Sequence, residues 1–83
     1  MKLLYFASLR ERIGRGEEQL DELPPQVLTI ADLMVWLSAR DEAYEAAFAS
    51  GLARAAIDKK HAKPEASIAG AREIAFFPPM TGG

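Results

Sequence analysis

Apolar residues alternate over both faces of the first segment, which is the pattern of a β-strand. In residues 2–7, Leu3 and Tyr5 share one face, while Leu4 and Phe6 share the other. Because both faces are apolar, we expect this strand to make contacts on each side.

The segments that follow have weaker patterns. Residues 8–13 favour a helical turn with Ser8 as its candidate N-cap, and a Gly-Arg-Gly run then supplies a flexible turn. Residues 17–23 should contain a second, weaker strand. Pro24 and Pro25 mark a loop, because proline cannot donate to a strand ladder.

The clearest helical pattern begins after Thr29 and continues to about Arg40. Thr29 is a candidate N-cap, with Asp32 at the capping-box position. The apolar residues recur at the i, i+3, i+4, i+7 spacing of one helix face. These residues are Ile30, Leu33, Met34 and Leu37.

The second half of the chain predicts one more helix and two more strands. Asp41 can cap a helical segment that ends near Gly51, where a left-handed conformation costs little. Residues 53–58 favour a third strand, residues 59–70 a polar loop, and residues 72–77 the final strand. The inward-facing residues of the helical segment should be Tyr44, Ala47 and Phe48.

The order strand, strand, helix, helix, strand, strand predicts an α+β domain in which one sheet wraps the main helix. We expect a single domain over residues 1–77 and a flexible tail over residues 78–83, since no repeat or linker divides the chain. Fully extended, that tail reaches about 20 Å beyond the sheet, far enough to enter a partner's pocket.

Composition and charge argue against two classes of function, nucleic-acid binding and membrane insertion. The chain has 83 residues, of which 49% are hydrophobic and 27% charged, as in an ordinary globular domain. Its formal net charge of -2 is too weak to hold a nucleic-acid backbone. No apolar run suits a signal peptide or a membrane span. We therefore expect a cytoplasmic protein that binds neither nucleic acid nor membrane.

Cysteine is absent, which excludes disulfides, thiolate nucleophiles and Cys-based metal sites within this chain. We expect no bound cofactor and no metal. The only histidine, His61, lies among lysines in a polar segment, so a solvated loop residue is a better interpretation than a metal ligand.

Two further features favour ordinary structural roles. Trp36 lies off the main helical stripe, and we expect it to cover the flank of that helix. An acidic cluster could meet a basic partner, but charge runs usually face water. The cluster consists of Glu17, Glu18, Asp21 and Glu22.

The chain ends in FFPPMTGG, residues 76–83, a segment whose end cannot be core. Gly82 and Gly83 lack a Cβ, so they can thread a narrow channel and leave the terminal carboxylate unhindered. A carboxylate becomes an electrophile once it is activated as a mixed anhydride with AMP, and Gly83 presents one at the end of an arm. A Gly-Gly end alone also suits a disordered terminus.

Neighbouring positions of the last predicted strand face opposite ways, so only one of Phe76 and Phe77 can point into the core. If Ile74 and Phe76 face the helix, Phe77 shares the outer face with Phe6 and Leu4. These side chains would form an apolar patch beside the tail. The alternative is a core aromatic pair under a loop.

The opening LLYFASLRERIG, the helical LTIADLMVWL and the terminal FFPPMTGG together resemble the MoaD family of ubiquitin-like sulfur carriers, the small subunits of molybdopterin synthase. The resemblance covers essentially the whole chain, and the tail is its most specific part. It implies a β-grasp fold and a larger catalytic subunit of molybdopterin synthase as partner.

The same resemblance implies the chemistry of the tail. A separate ATP-dependent, E1-like enzyme would adenylate the Gly83 carboxylate, and a sulfur donor system would convert the adenylate to a thiocarboxylate. The sulfur would pass to cyclic pyranopterin monophosphate in molybdenum cofactor biosynthesis. The chain would then be a sulfur-donating, non-catalytic subunit, with ATP used only by the activating enzyme.

Carried over by position, the family roles make Gly83 the sulfur-bearing residue and Gly82 its slim neighbour. Thr81 and Met80 would line the tail. Met80 stands where this family usually has a β-branched residue, and a flexible apolar groove should tolerate the exchange.

The remaining roles lie at the base of the tail. Pro78 and Pro79 would stiffen it. Phe77 and Phe6 would belong to the docking face for the larger subunit. Arg10 is a weaker candidate for that face, because an exposed arginine solvated at a helical turn is the more common case.

Three other functions remain open. The chain could carry sulfur for thiamine or another metabolite, modify protein lysines as ubiquitin does, or be a plain interaction domain with a disordered tail. The sequence of the tail and the length of the chain favour the molybdopterin function. The thiamine carriers that the chain resembles are generally shorter and lack the Phe-Phe-Pro-Pro run.

Overall fold

Five short strands form one mixed sheet, and three helices cover one of its faces. The computed structural model describes residues 1–79. The elements are β1 (Lys2–Tyr5), α1 (Ala7–Ile13), β2 (Glu17–Gln19), α2 (Ile30–Arg40), α3 (Glu42–Phe48), β3 (Arg54–Ile57), β4 (Lys60–Ala62) and β5 (Glu73–Phe77).

The strands lie in the order β2-β1-β5-β3-β4, so β5, the last strand within residues 1–79, is the central strand of the sheet. β5 pairs in parallel with β1 and antiparallel with β3. β2 and β4 form the two edges. The predicted α+β class is confirmed, and the strand that leads to the tail is held by hydrogen bonds on both sides.

The core lies between the inner face of the sheet and the helices. Leu3, Ile74 and Phe76 of the sheet have 0% of their surface exposed. The same holds for Leu33 and Leu37 of α2, as the apolar stripe predicts. A chain this short has one core, so each of these side chains carries a large share of the apolar burial.

An aromatic cluster joins β5 to the rest of the core. The ring of Phe76 stacks on Tyr5, with centroids 6.1 Å apart and planes 12° from parallel. Phe48 of α3 meets Phe76 edge-on at 5.2 Å, and Tyr44 meets Tyr5 edge-on at 6.0 Å. Both geometries are favourable for aromatic pairs.

The predicted capping box of α2 is confirmed. The Asp32 amide donates to Thr29 Oγ1 at 3.1 Å, and Asp32 Oδ2 accepts from the amides of Thr29 and Leu28 at 3.1 and 3.0 Å. These bonds satisfy backbone donors that the first helical turn would leave without partners.

The helix that follows α2, α3, also begins where the sequence predicts, but it ends earlier. The Asp41 side chain accepts from the Ala43 amide at 2.8 Å and so caps α3. The helix ends at Phe48. Gly51 then takes the left-handed conformation, with φ of 71°, and its amide donates to the Phe48 carbonyl oxygen at 3.1 Å.

The predicted cap of α1 is wrong. The helix begins at Ala7, and its N-cap is Phe6, which makes no side-chain cap bond. The Phe6 amide donates to the Phe76 carbonyl oxygen at 3.1 Å, so pairing with β5 keeps the chain extended to this point. The helix has therefore already begun at Ala7, and Ser8 lies inside it.

The predicted polar loop over residues 59–70 contains a strand, β4, which the sequence analysis missed. β3 and β4 form a hairpin through Asp58 and Lys59, whose φ angles are 47° and 72°. Two positive φ angles suit the tight turn between antiparallel strands, and glycine or asparagine is the usual signal for it. Asp58 also accepts from the Arg72 and Glu73 amides at 3.1 and 2.9 Å.

Truncation of a core residue of α2 should be costly. We expect Leu33→Ala to lower the free energy of unfolding by about 2–5 kcal/mol, because it leaves a cavity at a fully buried position. The matched control is Val35→Ala in the same helix, where 70% of the residue is exposed. Its change should stay within about 0.5 kcal/mol. Denaturant unfolding measures both, and equal losses would contradict the assignment of the helix face.

Candidate functional site

The base of the tail lies at the end of the central strand. β5 ends at Phe77, and Pro78 and Pro79 follow as partly buried residues. Neither proline has an amide hydrogen, so the strand ladder cannot continue through them. The rest of the predicted site, Met80, Thr81, Gly82 and Gly83, lies outside the described residues.

The two prolines border a small cleft of about 140 Å³ beside α1 and α3. Its walls include Leu9 of α1, Ala47 of α3 and Leu52 from the segment before β3. Leu9 and Ala47 belong to the core. The base of the tail thus rests on packed structure.

Among residues 1–79, no helix covers the outer face of the sheet, which presents a strip of apolar residues. Register pairs Leu4 with Ala75 and Ala56 with Ala75, which places the three on one face. Phe77, two residues after Ala75, lies on the same face and is partly buried. On the outer face of β1, Leu4 is partly buried, whereas Phe6, which follows the strand on the same side, is 47% exposed.

Phe6 and Phe77 lie next to each other, whereas Arg10 lies on the far side of Phe6. Pairing of Tyr5 with Phe76 puts the next residues of the two strands side by side. The Arg10 guanidinium packs over the backbone of Gly16, where a Cβ would come within 3.1 Å of it. Gly16 follows α1 and adjoins β1 on the edge away from β5.

His61 is a strand residue that contacts the outer face, which corrects its interpretation as a loop residue. It lies in β4, paired with Ala56, and its ring meets Phe77 edge-on at 5.5 Å. The sequence signal was hidden because β4 has only three residues. The structure therefore adds His61 to the residues around Phe77.

Glu18 is the second residue that the sequence analysis misplaced. Its side chain is 6% exposed, while Glu17 beside it is 62% exposed. The Glu18 carboxylate accepts from Tyr44 Oη, from Tyr5 Oη at 3.2 Å and from Arg40 Nη1 at 3.1 Å. Register explains the burial, because Glu18 pairs with Leu3 on the inner face. Asp21 and Glu22 face solvent as predicted.

Arginines complete the surroundings of this carboxylate. Arg15 Nη1 lies 3.7 Å from Glu18 Oε2. The Arg40 guanidinium stacks over Trp36 at 4.9 Å and over Tyr44 at 5.4 Å. Trp36 is partly buried against the core, so its predicted role on the helix flank is confirmed.

These contacts keep Glu18 ionised. Burial acts to raise the pKa of Glu18, but hydrogen bonds from Tyr44 and Arg40 and the charge of Arg40 outweigh burial and lower this pKa. Burial, followed by the negative charge of Glu18, raises the pKa of Tyr5 far above its ordinary value. Tyr5 therefore stays a neutral donor between Glu18 and the stacked ring of Phe76.

Within residues 1–79, no three His, Asp or Glu side chains gather in a way that could hold a metal ion. In the same part of the chain, no helix is long and apolar enough to cross a membrane.

Comparison with known proteins decides the family. The ThiS family matches residues 3–83, which include the base of the tail and the tail itself. The chain belongs to the ThiS family. Since this match covers nearly the whole sequence, the ThiS family domain and the described fold are the same unit.

Two curated relatives match this ThiS family chain from end to end. The molybdopterin synthase sulfur carrier subunit of Escherichia coli is 29% identical, over 100% of this chain and 99% of its own length. The protein of the same name from Haemophilus influenzae is 31% identical with the same coverage. The predicted resemblance to the MoaD family of sulfur carriers is confirmed.

Solved structures confirm the predicted β-grasp fold. SAMP1 from Haloferax volcanii superposes with a TM-score of 0.66 and 25% identity, over 100% of this chain and 98% of that one. A putative molybdopterin converting factor, subunit 1, from Pyrococcus furiosus gives a TM-score of 0.69 at 22% identity, with 95% of each chain covered. At that identity the second likeness concerns the fold alone.

The buried carboxylate predicts a pH dependence of stability. A lowered folded-state pKa means that the contribution of Glu18 is present above the ordinary Glu pKa of about 4.3 and is lost as pH falls through the folded value. We expect Glu18→Gln to lower the free energy of unfolding by about 1–3 kcal/mol at pH 7 and to reduce its loss below about pH 5.

The control for this prediction is Glu17→Gln, one residue away on the opposite face. Its partner is Lys2 at 3.0 Å in a solvent-exposed pair, so the change should stay within about 0.5 kcal/mol. Urea unfolding at several pH values measures both variants. An acid dependence that is the same in Glu18→Gln and the unaltered protein would contradict the role of Glu18.

Proposed function

We propose that this chain carries sulfur as a thiocarboxylate on Gly83 and donates it to cyclic pyranopterin monophosphate, as the small subunit of molybdopterin synthase. The observation that carries the proposal is a cysteine-free chain whose family match extends to its last residue, Gly83. The two full-length relatives named as molybdopterin synthase sulfur carrier subunits support this acceptor.

The activation that we propose begins at the terminal carboxylate. One carboxylate oxygen of Gly83 attacks the α-phosphorus of ATP on a separate activating enzyme, and pyrophosphate leaves. Sulfide-level sulfur from a donor system then attacks the acyl carbon, and AMP leaves. The resulting thiocarboxylate is an anionic, polarizable nucleophile, whereas a carboxylate of the same shape is a poor one.

The folded domain has a supporting role in this proposal. Gly82 and Gly83 have no side chains, so the reacting carbon can enter a narrow site on each partner. Pro78 and Pro79 limit the directions in which the tail leaves the sheet. The chain supplies the sulfur-bearing end, and the larger catalytic subunit supplies the acids, bases and cationic groups.

Docking in this proposal uses the outer face around Phe77. Phe6 and Phe77 are partly exposed apolar side chains at the end of β5, where the tail begins. A partner that covers them gains apolar burial and at the same time fixes the origin of the tail. Arg10 lies apart from Phe77, so we assign it to the margin of this face.

Intact-protein mass spectrometry tests the chemistry. After incubation with ATP, a sulfur source and lysate of the host, we expect a mass gain equal to the replacement of one oxygen by sulfur, mapped to Gly83 and absent without ATP. The matched control lacks Gly82 and Gly83 and should fold with unchanged stability but gain no mass.

Other outcomes would overturn parts of the proposal. Amide-linked conjugates on protein lysines would indicate a modifier. Sulfur that reaches a thiamine precursor instead of the pterin would change the acceptor. No mass gain in a lysate that is active on a known carrier would contradict sulfur transfer altogether.

A binding titration tests the docking face. We expect Phe77→Ala to weaken binding to the larger subunit about 10- to 100-fold, because a partly exposed aromatic at the centre of an interface contributes strongly to affinity. Its effect on unfolding should be smaller than its effect on binding. The control is Val35→Ala, an exposed residue on the helical side. Unchanged affinity in Phe77→Ala would remove Phe77 from the interface.

A further inference from the structure

A groove of about 430 Å³ lies at the β4 edge, between the sheet and the start of α2. Its wall on the helix side is formed by Ile30 and Met34. Its wall on the sheet side includes Ala55 and Ala62, which are paired across β3 and β4. Because these alanines are short, they leave open a space that larger side chains would fill. The volume is typical of a binding groove.

The rim of the groove is basic. Lys63, Arg54 and His61 line it, together with apolar residues, and no acidic residue does. Register places the side chains of Arg54 and His61 on the outer face of the sheet, so these two cations border the groove from its outer side. Four of the ten Lys and Arg residues of the chain fall within residues 54–63, although the chain as a whole has a net charge of -2. Asp58 is the one acidic residue in that segment, and its Oδ1 is bound to the amides of Arg72 and Glu73. The groove is thus complementary to negative charge.

The groove also adjoins a sheet edge. β4 pairs with β3 and ends the described sheet, so one side of its backbone has no strand partner among residues 1–79. Lys60 and His61 are exposed. An edge strand of this kind can accept an extended peptide as an additional strand. With three residues, β4 offers only a short ladder, which suits a weak and reversible contact.

Exposed apolar surface also borders the groove. Leu52, which lines it, is 60% exposed. A leucine that is exposed to this extent beside a concave apolar surface is unfavourable in water. A bound partner that covers it would gain the free energy of apolar burial. An occupant therefore needs an apolar side chain as well as negative charge.

We propose that this groove binds an extended acidic segment of a partner protein, which adds a strand to β4 and places an apolar side chain between α2 and the alanines of the sheet. Alternation in a strand puts neighbouring side chains on opposite sides. One side of the segment can therefore enter the groove while its carboxylates meet the basic rim. The groove adjoins the cleft at the base of the tail through Leu52, which lines both, but the inference does not depend on the sulfur chemistry.

The probe is the heptapeptide acetyl-Asp-Val-Asp-Leu-Asp-Val-Asp-amide, titrated into the full chain labelled with ¹⁵N. The control peptide has Lys in place of each Asp. We expect saturable shifts for the amides of Lys60, His61 and Ala62, slower hydrogen exchange in β4, and no binding of the Lys peptide. Binding should weaken as salt is added. The absence of saturable shifts for the acidic peptide would overturn the proposal.

Variants separate the groove from net charge. Ala62→Leu fills the groove and should weaken binding about tenfold, and Lys63→Glu should weaken it about fivefold or more. Arg72→Glu makes the same charge change outside the groove and should alter affinity less than about twofold. Equal effects of the two charge reversals would show that net charge, and not this rim, attracts the peptide.

Two controls complete the experiment. Thermal unfolding must show that each variant is folded, and Ala62→Ser serves as a second groove variant that keeps the small size and should bind as the unaltered chain does.

Sedimentation equilibrium tests the other occupant, a second copy of this chain. A concentration-dependent dimer that Ala62→Leu abolishes would replace the partner segment by self-association.

Discussion

The ring of Phe76 stacks on Tyr5 and meets Phe48 edge-on, and this contact ties the strand before the tail to both the sheet and the helices. Phe76 has no exposed surface, and its strand is paired on both sides. In a domain with one small core, such a cluster supplies much of the available apolar burial. The tail that we propose to carry sulfur therefore begins at a strand that is paired on both sides and anchored in the core.

The alternation of β5 places its two aromatic residues on opposite faces of the sheet. Phe76 faces the core, whereas Phe77 faces outward beside Phe6 and His61. One strand thus anchors the base of the tail and carries Phe77, which we propose as part of a docking surface. In that proposal, the partner holds the base of the tail while the tail enters the partner's pocket.

Charged side chains are paired around a buried carboxylate at one edge of the sheet and exposed at the other. At the β2 edge, the Glu18 side chain is buried with two tyrosines and two arginines, and this cluster joins the paired strands β1 and β2 to α2 and α3. At the β4 edge, the basic residues remain exposed around an open groove. The first set of charges is satisfied inside the chain, and the second borders the groove for which we propose an acidic partner segment.

The sequence by itself determined the α+β class, the capped helix α2, the division of Phe76 and Phe77 between two faces, and the chemistry available to a chain without cysteine. Each of these follows from local spacing or from composition. Only the tertiary structure decided the positions of Ser8, Glu18 and His61. Ser8 lost its capping role to backbone pairing with β5, while Glu18 and His61 acquired their environments from the register of two three-residue strands. Such strands are too short to show a periodic pattern, and the face that each residue takes depends on the register with the neighbouring strand.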